Sequence, residues 1–98
     1  MDKIIIWKKQ PLVRLKEITV YVVDEFSLSV AEKFLEKVTT KVERLSEYPE
    51  SGQATRFKTI RRYRLDKYHS LFYRVKGRKI FILFLWDGRQ HPGKNMYQ

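Results

Sequence analysis

Ser70-Leu71-Phe72-Tyr73-Arg74-Val75-Lys76-Gly77-Arg78-Lys79-Ile80-Phe81-Ile82-Leu83-Phe84-Leu85-Trp86 reads as two β-strands, Ser70 to Val75 and Lys79 to Trp86, joined by the short glycine-containing loop Lys76-Gly77-Arg78. A connection this short leaves only antiparallel pairing. Ile80 to Trp86 is apolar at every position, as expected of a strand covered on both faces, and is placed at the sheet centre. Upstream, Phe57 to Leu65 reads as a third strand of the same sheet. Alternation there sets Lys58, Arg62 and Arg64 on one face and Phe57, Tyr63 and Leu65 on the other, so a cationic row faces outward while aromatic neighbours pack inward.

The first half of the chain has a helical period. Ile4-Ile5-Ile6-Trp7 is a short strand, and Leu12, Leu15, Ile18, Val22, Val23 and Phe26 then recur at steps of three and four. Pro11 suits the first turn of that helix, where its missing N–H has no intrahelical partner, and the helix stops near Ser27. Ser29-Val30-Ala31-Glu32 has the form of a capping box opening a second helix, whose apolar stripe is Ala31, Phe34, Leu35, Val38, Val42 and Leu45. Pro49 ends it by Tyr48, and Pro49-Glu50-Ser51-Gly52 makes a turn. The order β-α-α-β-β-β is an α+β fold, a small antiparallel sheet packed by two N-terminal helices. With 98 residues, 43% of them hydrophobic, one domain spanning 1–98 is expected.

Composition excludes several chemistries. No cysteine is present, which removes disulfides, zinc ribbons and thiol nucleophiles. The glycines form neither a P-loop nor a dinucleotide fingerprint, His69 stands alone as a structural histidine, and no cofactor or metal is expected. The longest apolar run has seven residues against the roughly 20 needed to span a bilayer, so a cytoplasmic location without membrane contact is predicted. Charge is more informative. Residues 1–50 hold nine cations and nine carboxylates, whereas residues 51–98 hold twelve cations against Asp66 and Asp87 alone, so the whole net charge of +10 lies in the second half. Such crowding implies an anionic partner, and Lys58, Arg62, Arg64 and Arg74, interleaved with aromatics, are the predicted nucleic-acid-binding residues. After the last strand, Asp87-Gly88-Arg89-Gln90-His91-Pro92 abruptly turns polar. His91 titrates near neutrality, Arg89 could stabilise a phosphorane and Tyr97 could donate a proton, a set able to cleave RNA without metal because the 2′-hydroxyl is a built-in nucleophile. An ordinary loop histidine, with Arg89 paired to Asp87 or Asp66, is the alternative.

Leu15 to Tyr21, Ala31-Glu32-Lys33-Phe34, Leu45 to Gly52, Ile60-Arg61, Leu71 to Val75 and Ile80 to Pro92 together resemble the RelE/ParE superfamily, the toxins of bacterial type II toxin-antitoxin modules. The resemblance covers nearly the full chain. It implies a toxin held inactive in a hetero-oligomer with a cognate acidic antitoxin, acting either as a ribosome-dependent mRNA endonuclease or as a non-enzymatic inhibitor of DNA gyrase. On the nuclease pattern, Arg61 falls at a catalytic cation and Arg89 at the later arginine, with His91 and Tyr97 near the proton donor. Ser70 stands where RelE-type nucleases carry a further arginine and Tyr63 where they carry a lysine, while Leu15 to Gly52 is closer to the ParE side. The concentrated cationic half tips the expectation towards mRNA cleavage, with gyrase inhibition, or a non-toxic binding module on the same fold, as alternatives.

Overall fold

The computed structural model describes residues 2–88. Strand β1 (Ile4–Trp7) leads into helices α1 (Lys9–Glu25) and α2 (Leu28–Glu47), followed by β2 (Gln53–Ala54), β3 (Arg61–Arg64), β4 (His69–Lys76) and β5 (Lys79–Asp87). The five strands form one sheet in the order β1-β5-β4-β3-β2. This is the expected α+β arrangement, with a mixed sheet: β1 pairs parallel to β5, and the other pairings are antiparallel. β5 is interior, between β1 and β4, and the middle strand is β4.

Three local expectations change. The cap of α2 is Ser27, whose extended backbone lets its Oγ accept from the Val30 N–H at 3.1 Å; Ser29 and Glu32 are already inside the helix. The third strand is shorter than its sequence suggests, because residues 57–60 form a turn closed by Ile60 N–H on the Phe57 carbonyl and by the Thr55 hydroxyl donating to the Ile60 carbonyl. Lys58 and Phe57 are therefore exposed on that turn, outside the alternation of β3, and Phe57 lies 5.1 Å from the Arg56 guanidinium rather than packing inward. The stripe of α1 is also narrower: Ile18 and Val22 are buried and Leu15 is half-buried, while Leu12, Val23 and Phe26 are exposed.

Both helices cover one face of the sheet. Ile18, Val22, Ala31, Val38, Val42 and Leu45 pack on Tyr63, Leu65, Leu71, Tyr73, Ile80, Ile82 and Leu85, each large side chain contributing roughly 2 kcal/mol by burial. That inner face depends on a β-bulge. Phe72 pairs with Phe84 but Tyr73 pairs with Ile82, so Leu83 is the extra residue, and the strand presents Ile80, Ile82 and Leu85 inward and Phe81, Phe84 and Trp86 outward. The uniform apolarity of β5 therefore conceals two distinct faces. Where β1 ends, Gln10 in the first turn of α1 takes over: its Oε1 accepts the Leu85 N–H at 3.0 Å, satisfying an amide β1 cannot reach. Between β4 and β5, Gly77 has φ of 60°, a conformation that L side chains resist.

Two polar arrangements fix the ends of the inner face. At one end the Asp66 Oδ1 accepts from the backbone N–H groups of Tyr68 and His69, each at 2.9 Å, closing the turn between β3 and β4. His69 Nδ1 lies 2.9 Å from the same oxygen, and because a carboxylate only accepts, that nitrogen carries the proton. The imidazole is buried beside the Phe34 ring of α2, at 5.3 Å, and its Nε2 faces the Asp87 Oδ2 at 3.5 Å, with Arg14 Nη2 of α1 at 4.0 Å from that oxygen. Both carboxylates of the C-terminal half thus point inward. At the other end the buried Tyr73 hydroxyl donates to the Pro49 carbonyl at 2.7 Å and accepts the Gly52 N–H at 3.0 Å, clamping the turn after α2.

These arrangements predict two stability effects. A Cβ at residue 52 would sit 2.5 Å from the Tyr73 hydroxyl oxygen and 2.6 Å from its ring; Gly52→Ala is expected to cost about 2 kcal/mol, read as a lowered urea midpoint at unchanged m-value. Burial raises the pKa of the Asp66 carboxyl, but the Tyr68 amide and the His69 hydrogen bond and charge outweigh it and hold the carboxyl below its ordinary value. A depressed folded pKa stabilises above the unfolded value of about 4 and ceases to do so as pH falls through the folded value. Denaturation curves of wild type and Asp66→Asn should therefore be separated at pH 7 and converge below pH of about 4; a constant separation would show that the carboxylate charge is irrelevant.

Candidate functional site

Alternation along the strands divides the predicted site residues between the two faces. Arg62 and Arg64 point away from the helices, opposite Tyr63, as the sequence predicts. Arg74, paired with Phe81 on β5, lies on the same outer face, and Lys76 and Lys79 face each other at the end of the β4–β5 hairpin. Arg62 Nε donates to the Ser70 hydroxyl at 3.1 Å, so Ser70, a cross-strand neighbour on the outer face, orients the guanidinium. Burial and then the adjacent Arg64 lower the Arg62 pKa, both opposing its charge. Two arginines two residues apart on one face repel each other, and an anion between them relieves both.

Arg61 lies on the other face, at its margin. Its Nη1 donates to the Gly52 carbonyl at 2.9 Å and approaches the Glu50 carbonyl at 3.4 Å, beside the Tyr73 hydroxyl that holds the same turn. The guanidinium thus braces a loop against the sheet edge. Next to it, the end of α2 and the Pro49 turn form an open groove of about 810 Å³ lined by Lys41, Arg44, Tyr48, Pro49 and Tyr63 among others. Lys41 Nζ stands 5.9 Å from the Tyr63 ring. Burial raises the Tyr63 pKa, and Arg44 partly offsets this.

The outer face contains aromatics that are largely shielded. Phe72 is fully buried and Trp86 is 7% exposed. Phe72 and Phe84 meet edge to face at 6.3 Å. Two cations lie near the Phe81 ring, the Arg74 guanidinium at 5.9 Å and Lys8 Nζ at 5.8 Å. The remaining predicted catalytic residues, Arg89, His91 and Tyr97, lie outside the described residues. Sequence reading missed the Arg14, Asp66, His69 and Asp87 cluster; an aspartate three residues before a histidine between two strands is its one local signal, and the Arg14 and Asp87 contacts are visible only in the fold. Among the described residues no group of three or more His, Cys, Asp or Glu side chains is placed to hold a metal ion, and no helix is long and apolar enough to cross a membrane.

Comparison with known proteins matches this arrangement to a family. The solved structure described as the chromosomal ParDE TA system from P. aeruginosa is similar with a TM-score of 0.75, at 22% identity, over 87% of this chain and 95% of that one. At that identity the likeness carries the fold. No curated protein matches. The family model described as the ParE toxin of the type II toxin-antitoxin system, parDE, matches residues 5–92, from β1 through every helix and strand described above, and the chain belongs to that family.

Proposed function

We propose that this toxin acts by binding, as an inhibitor of DNA gyrase, and that an acidic antitoxin neutralises it in a hetero-oligomer. The observation that carries the reading is the engagement of Arg61. Its Nη1 is committed to the Gly52 and Glu50 carbonyls, which holds the guanidinium at the margin of the helix-covered face, on the opposite side of the strand from Arg62 and Arg64. The match of the ParE toxin model to residues 5–92, and Ser70 and Tyr63 in place of nuclease-type cations, support the same choice. The acidic character of the antitoxin follows from charge: α1 and α2 balance their cations and carboxylates, and the excess sits on the sheet.

The test is direct. Purified toxin added to gyrase and relaxed plasmid should abolish supercoiling, and prior addition of its antitoxin should restore it. Primer extension on ribosome-bound mRNA should show no new 5′ ends. Normal supercoiling at saturating toxin, together with new 5′ ends that vanish in Arg61→Ala, would replace this reading with mRNA cleavage.

A further inference from the structure

We propose that the outer face of the sheet is a docking surface for the phosphate backbone of duplex DNA, gripped by Arg62, Arg64, Arg74, Lys76 and Lys79 with Lys8 at its rim. The first support is charge segregation. α1 carries Lys9, Arg14 and Lys16 against Glu17, Asp24 and Glu25, and α2 carries four cations against four carboxylates, so the helical layer is neutral. β3, β4 and β5 with their turns hold eight cations against Asp66 and Asp87, and both carboxylates turn inward to His69. Among the described residues no strand places a carboxylate on the outer face, and no ion pair reaches Arg62, Arg64, Arg74, Lys76 or Lys79. Arg64, Arg74, Lys76 and Lys79 are exposed.

The second support distinguishes among polyanions. Single-stranded nucleic acid is held by stacking bases on exposed rings, but here Phe72 and Trp86 are buried, Phe84 is half-buried and meets Phe72 edge to face, and Phe81 already has Arg74 and Lys8 near its ring. An acidic peptide added as a strand needs an open sheet edge, whereas these cations project from the face, where an acidic antitoxin lying across them would compete with DNA. What remains among the described residues is charge with forked donors and no fully exposed ring on that face, which fits phosphates presented by a duplex. The choice of DNA among duplexes rests on the gyrase reading, since that enzyme works on duplex DNA; the duplex contact itself does not depend on gyrase.

Full-length toxin freed of antitoxin is titrated into a fluorescent DNA duplex at several salt concentrations and followed by anisotropy, without gyrase. Arg64→Ala/Arg74→Ala/Lys79→Ala is compared with Lys16→Ala/Lys33→Ala/Lys37→Ala, which removes the same charge from the helical layer, and circular dichroism verifies that both fold. The outer-face triple variant should bind at least about tenfold more weakly than the helical one and lower the slope of log K against log salt by roughly 2 to 3. Equal losses in the two triple variants would overturn the proposal, as would tighter binding of a single-stranded RNA of the same sequence. Duplex binding with normal gyrase turnover would leave this surface standing and remove only the gyrase reading.

Discussion

The bulge at Leu83 is the constraint on which the two faces of the sheet depend. A strand alternates its side chains with period two, so one inserted residue inverts the phase of everything after it. On β5, Ile80 and Ile82 face the helices before the bulge, and Leu85 and Asp87 face them after it. Without the insertion, Phe84 and Trp86 would turn under α1 and α2, where the core is sized for Leu85, and Asp87 would turn outward. A single extra residue thus sets both what the helices pack against and where the last carboxylate of the sheet points.

The position of Asp87 has an electrostatic consequence. Turned inward, it faces His69 Nε2 and Arg14 Nη2, and with Asp66 it confines the negative charge of the C-terminal half to the inner layer. Burying such groups is costly unless partners surround them; here two carboxylates, an imidazole and a guanidinium from four elements meet in one cluster, in which Arg14 Nη2 and His69 Nε2 are buried near Asp87 without a hydrogen bond of their own. That cluster also ties α1 to the end of β5 and the β3–β4 turn, so the arrangement that orders the hairpin is the one that removes carboxylates from the cationic face.

Much of this architecture was legible in the sequence, and the failures have definite causes. The helices announced themselves through the spacing of Ile18 and Val22, and of Ala31, Val38, Val42 and Leu45, because a stripe at steps of three and four has one geometric meaning. β5 was legible as a strand but not in its phase: seven consecutive apolar residues carry no alternation from which a bulge could be inferred. Ser27 and Ser29 both offer a capping oxygen, and Glu32 favoured the wrong one. The helical bond from the Phe26 N–H to the Val22 carbonyl ends α1 so late that Ser27 is the residue left extended. β2 has only Gln53 and Ala54, too few for any period, and the turn at residues 57–60 depends on Thr55 hydrogen bonds that no propensity encodes. Arg61 fitted a catalytic pattern by position, yet its partners are backbone carbonyls of a loop nine and eleven residues away.

The cationic face and the core are opposite sides of the same strands, and this determines how repulsion is tolerated. Arg62, Arg64, Arg74, Lys76 and Lys79 raise the free energy of the folded state by crowding like charges, while Tyr63, Leu71, Tyr73 and Ile80, alternating with them on the same backbone, lower it by burial. Alternation makes the two inseparable, because the register that buries the inner residues necessarily lines up the outer ones. A bound polyanion relieves the repulsion only in the folded state, so it stabilises the fold by mass action. The apolar inner row holds the sheet together with or without a partner, and the outer row is consequently open to selection for what it binds.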